Sequence, residues 1–297
     1  MELMQHIPDK SVDMILCDLP YGITACEWDK VLPLDELWKQ YKRILKENGV
    51  VVLTASQPFT TDLINSNRDW FKYEIIWNKK LPTGFAIAKY VPMKLHENIL
   101  VFSNGKTKYN PQMIERDKPR VYNRTHKGYN GSQNLQKHDG KNRILTHRYP
   151  TSIIVISNAN HKDKIHPTEK PLELFEYLIK TYTNEGEIVL DNCIGSGTTA
   201  VACKQANRNF IGIELSQEYV DIANKRLQQD NLHAFFQTQG VLTEPSPNRN
   251  LKDLSTDKSQ ISANAETSLN SDIIGNFKNP LVSREQLKKM EIQKNVI

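Results

Sequence analysis

The stretch from Glu187 to Glu214, EIVLDNCIGSGTTAVACKQANRNFIGIE, constrains the fold more than any other part of this chain. Two short apolar runs each end on a carboxylate, Asp191 and Glu214. A glycine-bearing turn and a helix-length segment from about Thr198 lie between them. Strands joined by a helical crossover run parallel, and parallel sheets bury both faces. The remainder repeats the pattern. Val12 to Leu16, VVVLTAS from Val50, Phe71 to Trp77, Asn98 to Phe102 and SIIVIS from Ser152 read as strands. Leu34, Leu37, Trp38, Tyr41, Ile44 and Leu45 recur at helical spacing, with Asn48-Gly49 as the stop. Leu172, Phe175, Leu178 and Ile179 mark a second amphipathic helix, and Tyr219, Ile222 and Leu227 a third. Alternating strands and helices predict an α/β domain with a largely parallel sheet.

The glycine turn carries chemistry. Gly195-Ser196-Gly197-Thr198-Thr199-Ala200 fits the loose G-x-G-x-x-[GA] nucleotide pattern, and no lysine follows it, which argues against a phosphate-gripping P-loop. Glycines let a ligand approach the backbone, and the free N–H groups of the helix start offer donors. An acid at the end of the next strand, Glu214, can take the hydroxyls of a ribose. Taken singly, the glycines suit any tight turn and Glu214 any strand end; together they point to an adenosine-containing cofactor. A dinucleotide is disfavoured, because only one patterned segment follows Glu214. The first 190 residues must therefore complete the sheet.

Polar partners are written in the charge distribution. The formal net charge is +5, yet residues 104–150 hold eleven Lys and Arg against three Asp and Glu, interleaved with Tyr109, Tyr122, Tyr129 and Tyr149. This suits a surface that contacts phosphates and reaches base edges, although a solvated loop has the same composition. No run approaches the roughly 18 apolar residues that span a bilayer, and MELMQHIPDKS lacks the features of a secretory signal. Cys17, Cys26, Cys193 and Cys203 form no CxxC pair, so no metal site is expected and a reducing cytoplasm suits them. Residues 240–297 dissolve into polar segments such as TEPSPNRN and read as a flexible tail, with a late helix over Ser283 to Lys294.

VDMILCDLPYG, residues 12–22, raises a separate question: why a buried-looking strand ends on a carboxylate, a proline and a tyrosine. Asp18-Leu19-Pro20-Tyr21 resembles the Asp-Pro-Pro-Tyr signature of the DNA amino-methyltransferases that use S-adenosylmethionine. DNCIGSGTT resembles their cofactor loop, HPTEKP (His166 to Pro171) the segment preceding that loop, and HENILVFS (His96 to Ser103) the strand before target recognition. The motif order is that of the beta group, and the likeness spans about residues 1–235. It implies a Rossmann-like methyltransferase fold with permuted motif order. Residues 1–239 would be the catalytic domain, with 103–150 an inserted target-recognition region.

The resemblance also implies a mechanism. The amine of an extruded adenine in double-stranded DNA would donate to the Asp18 carboxylate and the Leu19 carbonyl, which stabilise the positive charge it gains during transfer. Pro20 stiffens the turn, and Tyr21 offers a face to the flipped base. Asp191, Cys193, Gly195, Ser196, Gly197, Thr198 and Thr199 would line the cofactor's amino-acid end, and Glu214 would take its ribose. His166, Thr168 and Lys170 would sit near its carboxylate. No nucleophilic cysteine is expected. Leu19 stands where the family has proline, and Cys193 where it has an aromatic residue. Family members usually begin with a further strand and a Gly-Asp pair that touches the cofactor, and Met1 falls inside that region; weakened cofactor affinity is the expectation. Two alternatives stay open: methylation of the cytosine amine, and a DNA-binding protein of little activity. A homodimer and a cognate restriction nuclease are compatible with the resemblance, and the sequence specifies neither.

Overall fold

The computed structural model describes residues 2–22, 29–122, 143–158, 169–238 and 281–283. Along the chain the elements are β1 (Val12–Cys17), α1 (Leu34–Ile44), β2 (Leu45–Ala55), α2 (Phe59–Ser66), β3 (Phe71–Thr83), β4 (Lys94–Phe102), β5 (Ile114–Tyr122) and β6 (Arg143–Arg148). They continue with β7 (Ile153–Val155), α3 (Leu172–Tyr182), β8 (Ile188–Asp191), α4 (Thr198–Gln205), β9 (Asn209–Glu214), α5 (Gln217–Thr238) and β10 (Leu281–Ser283). Eight strands form one sheet in the order β10-β9-β8-β1-β2-β4-β3-β7. Only β4 runs against its two neighbours; all other pairings are parallel. The predicted α/β architecture is therefore the observed one.

Alternation along the central strands explains why both faces are covered. Ile15 and Cys17 of β1, with Val51 and Leu53 of β2, join one core with Leu37, Trp38 and Tyr41 of α1 and Phe59 and Leu63 of α2. Met14, Leu16, Val50 and Val52 point the other way, to Leu174, Phe175 and Leu178 of α3 and Ala200 and Cys203 of α4. Strands buried on both sides have no polar face, which is why VDMILC and VVVLTA read as nearly continuous apolar runs.

Two local expectations change. The first helix stops at Ile44 rather than at Asn48-Gly49. β2 already begins at Leu45, and its register against β1 jumps from Val12 opposite Leu45 to Met14 opposite Val50. Asn48-Gly49 thus belongs to an irregularity inside a strand, a usual place for glycine. Within the region expected as a tail, Leu281–Ser283 pairs in parallel with β9, and Leu281 packs against the second core. Of the predicted late helix, Ser283 ends this strand and residues 284–294 lie outside the described residues, as do Cys26, His166 and Thr168. Of the basic insert, β5 and β6 form a separate antiparallel ribbon.

Candidate active site

The site lies at the carboxyl ends of β1, β8 and β9, where an open α/β sheet leaves a crevice for ligands. β1 and β8 are neighbours, with Ile15 opposite Leu190, so the Asp18 turn and the glycine loop emerge side by side. Residues 152 positions apart in the chain meet there: the Lys170 ammonium lies 2.7 Å from Asp18 Oδ2.

Asp18 is held at both oxygens. The Tyr21 hydroxyl donates to Oδ1 at 2.8 Å and lies 3.0 Å from the Thr54 hydroxyl, which donates to the same oxygen. Burial and the Asp18 charge push the Tyr21 phenol well above its ordinary value, so it stays a donor. Its ring stacks on Phe59, with centroids 5.5 Å apart, and the Lys170 ammonium lies over it at 5.4 Å. Leu19 is buried in the core beneath, a use for a large apolar side chain where the family has proline.

Glu97, at the site end of β4, completes the cluster. Its Oε1 accepts from Lys79 at 3.2 Å, while its Oε2 is buried, has no hydrogen-bond partner among the described residues, and lies 3.5 Å from the Lys170 nitrogen. Burial works to lower the Lys170 pKa, but Asp18 and Glu97 together outweigh it and hold the ammonium above its ordinary value. The quoted segment HENILVFS contained Glu97 without giving it a role. The available signal was a charge leading an apolar strand.

Across the crevice, Gly195 and Gly197 take the left-handed φ values of +51° and +87°. A Cβ on Gly197 would come 2.7 Å from the Cβ of Ala223 on α5, so the loop packs closely there. Gly195 has nothing within 4 Å of that position, which leaves its backbone open to a ligand. Its amide donates to Glu214 Oε2 at 2.9 Å, and the Leu215 and Ser216 amides donate to Oε1. A carboxylate has about four acceptor sites, so one remains for an incoming hydroxyl. Open backbone at Gly195 and a free acceptor on Glu214 fit an adenosine-bearing cofactor.

The other predicted loop residues do different work. Asp191 and Thr199 are buried and bonded to each other beneath the loop. Thr198 donates to Glu169 at 3.0 Å, and Arg226 joins Glu169 to the carbonyl and hydroxyl of Ser196. Arg226 and Glu169 were not foreseen from sequence, because their contact crosses from the α3 approach to α5. Lys170, expected near the cofactor's carboxylate, bonds Asp18 through its ammonium. Cys193 donates its amide to Asp191 at 3.0 Å. Burial, with Cys193 and Asp191 beside it, pushes the Cys17 thiol well above its ordinary value, as suits a packing residue.

Burial also raises the Asp191 carboxyl from 3.8 to about 6, against hydrogen bonds from Thr199, the Cys193 amide and Cys17 that pull it down. The folded chain therefore keeps a proton that the unfolded chain loses near pH 4. The resulting stability is complete below that point and vanishes as pH rises through about 6, a change of about 3 kcal/mol. Denaturant titrations should show Asp191→Asn gaining on the wild type by about that amount between about pH 4 and pH 7. A difference that stays flat with pH would contradict it.

A nucleotide crevice beside an acidic turn, on a mostly parallel sheet with one reversed strand, defines a methyltransferase domain of the Rossmann-like class. A family model described as DNA methylase, covering N6 and N4 amino-methyltransferases, matches residues 12–225, and the chain belongs to that family. Among curated proteins it is 28% identical over 249 residues to the type II methyltransferase M1.MboII of Moraxella bovis, covering 77% of this chain and 94% of that one. It is 26% identical over 243 residues to M.HpaI of Haemophilus parainfluenzae, covering 76% and 71%. The crystal structure of M1.HpyAVI with S-adenosylmethionine superposes with a TM-score of 0.50 at 28% identity, covering 73% of this chain and 88% of that one. The cytosine-N4-specific PvuII methyltransferase shares the fold, with a TM-score of 0.51 at 16% identity, covering 80% of this chain and 90% of that one. Among the described residues no helix is long and apolar enough to cross a membrane.

Proposed function

We propose that this DNA methylase is adenine-specific, transferring a methyl group to the exocyclic amine of an adenine extruded from double-stranded DNA. The observation that carries the reading is Asp18: a carboxylate at the head of the Asp-Leu-Pro-Tyr turn, facing the glycine loop across one crevice. Cytosine-specific relatives more often have serine at that position. S-adenosylmethionine supplies the electrophilic methyl group, and its binding falls to the Gly195 loop and Glu214. Asp18 and the Leu19 carbonyl accept the two N–H bonds of the target amine and stabilise its growing positive charge. Tyr21, backed by the buried Phe59, provides an aromatic face for the base. No covalent enzyme intermediate is required.

The target-recognition role of the insert is supported by its shape and charge. A two-stranded ribbon fits the major groove, and β5 and β6 carry Arg116, Lys118, Arg120 and Arg148. The turn between β3 and β4 adds the exposed Phe85 and Tyr90 beside Lys80 and Lys89. The names of the relatives support a place in a type II restriction–modification pair.

The test is to incubate the chain with labelled S-adenosylmethionine and mixed-sequence duplex DNA, digest to nucleosides and identify the product by mass. N6-methyladenine is expected. N4-methylcytosine would overturn the adenine assignment and keep the enzyme class, and the absence of any methylated base would favour a DNA-binding protein instead.

A further inference from the structure

Both oxygens of Asp18 are already engaged in this structure. Oδ1 accepts from Tyr21 and Thr54, which belong to the same strand ends and hold the carboxylate in place. Among the described residues Oδ2 accepts from Lys170 alone, and that ammonium also lies over the Tyr21 ring, the surface a flipped base would use. One acceptor site of Oδ2 remains beside Lys170, but a base seated on the Tyr21 ring meets the ammonium that lies over it, so Lys170 has to shift when the base enters. A buried ammonium does not move into an apolar wall; it needs another anion within reach.

Glu97 is that anion. Among the described residues its buried Oε2 has no hydrogen-bond partner, which is unusual for a carboxylate, and it lies 3.5 Å from the Lys170 nitrogen. A shift of less than about 1 Å would close that gap to ordinary hydrogen-bond length. Lys79 neutralises the other oxygen, so Glu97 is fixed and not itself free to turn away.

We propose that Glu97 is a positioning residue for methyl transfer: it offers a second seat to the Lys170 ammonium, so that Asp18 Oδ2 is released to the target amine when the base enters. The proposal rests on the reading of Asp18 as acceptor for that amine. Lys170 thereby works as a gate that occupies the acceptor and the aromatic face in the empty site, and Glu97 sets how easily the gate opens. Among the described residues the charged groups facing Lys170 are Asp18, just after β1, and Glu97 from β4, with the Tyr21 phenol beside them. Lys79 and Lys94 act on it through Glu97.

Single-turnover methylation of duplex DNA tests this with four full-length chains: wild type, Glu97→Gln, Lys170→Met and the double variant. Glu97→Gln should slow transfer about tenfold while leaving cofactor and DNA affinities within about twofold. In the Lys170→Met background the same change should cost less than about twofold, because no ammonium remains to be reseated. The pH profile gives a second readout that does not depend on Lys170→Met being active. The Glu97→Gln deficit should narrow from pH 7 to pH 9.5, as a lysine deprived of one carboxylate begins to lose its proton and with it its hold on Asp18. Equal losses in both backgrounds with a pH-independent deficit would overturn the proposal, as would a Glu97→Gln chain of full rate. A wild type that methylates no DNA would overturn the reading of Asp18 and this proposal together. A wild type that methylates DNA while the Glu97 effects fail overturns the role of Glu97 alone.

Discussion

Asp18→Ala is expected to abolish methyl transfer, by roughly a thousandfold or more, with S-adenosylmethionine binding kept within about twofold of wild type. The expected loss is large because the alanine offers no acceptor at all. The target amine would then develop its positive charge in a dry crevice with the Lys170 ammonium still nearby. Folding should survive. When Asp18 is removed, Lys170 still has Glu97 Oε2 3.5 Å away, so no cation is left buried without an anion in reach. Cofactor binding should survive as well, because Gly195 and Glu214 do not depend on Asp18 for their hydrogen bonds. Asp18→Asn is the finer variant, keeping the shape and the bond from Tyr21 while removing the charge. Single-turnover transfer and equilibrium dialysis with labelled cofactor decide the matter; turnover retained by Asp18→Ala would remove the carboxylate from the mechanism.

Glu214→Ala should do the reverse. It removes the acceptor expected to take a ribose hydroxyl and orphans the amides of Gly195, Leu215 and Ser216, which now converge on that carboxylate. A charge-assisted hydrogen bond contributes about 1.5–3 kcal/mol, so cofactor affinity should fall roughly 10- to 100-fold. DNA affinity without cofactor should be unchanged, since the ribbon and the β3–β4 turn lie on other elements. Titration calorimetry of the two ligands separates these effects. An unchanged cofactor dissociation constant would place the ribose elsewhere.

The strands most central to the sheet were the easiest to find from sequence, for a physical reason. Residues buried on both faces leave no alternation to interpret, only short apolar runs, and β1, β2 and β8 all have that form. The end of α1 was harder. Asn48-Gly49 is a strong local stop signal, yet pairing of Leu45 with Val12 draws the chain into β2 before the signal is reached. Leu281–Ser283 offered only three residues in a polar region, and its pairing depends on the free edge of β9, which no local pattern reveals.

In the site, the amino-acid sequence determined which chemical groups are present and the order in which they come. The glycine loop, Glu214 and the Asp18 turn are local signals, because each depends on residues within a few positions of one another. Family membership follows from the same motifs. The tertiary structure alone decided what those groups touch. Lys170 bonds Asp18, Arg226 ties Glu169 to the glycine loop, and Glu97 Oε2 pairs with Lys170 at 3.5 Å. Such contacts join residues from about 30 to 150 positions apart, where no spacing rule operates; they exist because the carboxyl ends of β1, β2 and β8 and the start of the reversed β4 lie at one edge of the sheet, where Glu169 before α3 also meets Arg226 of α5.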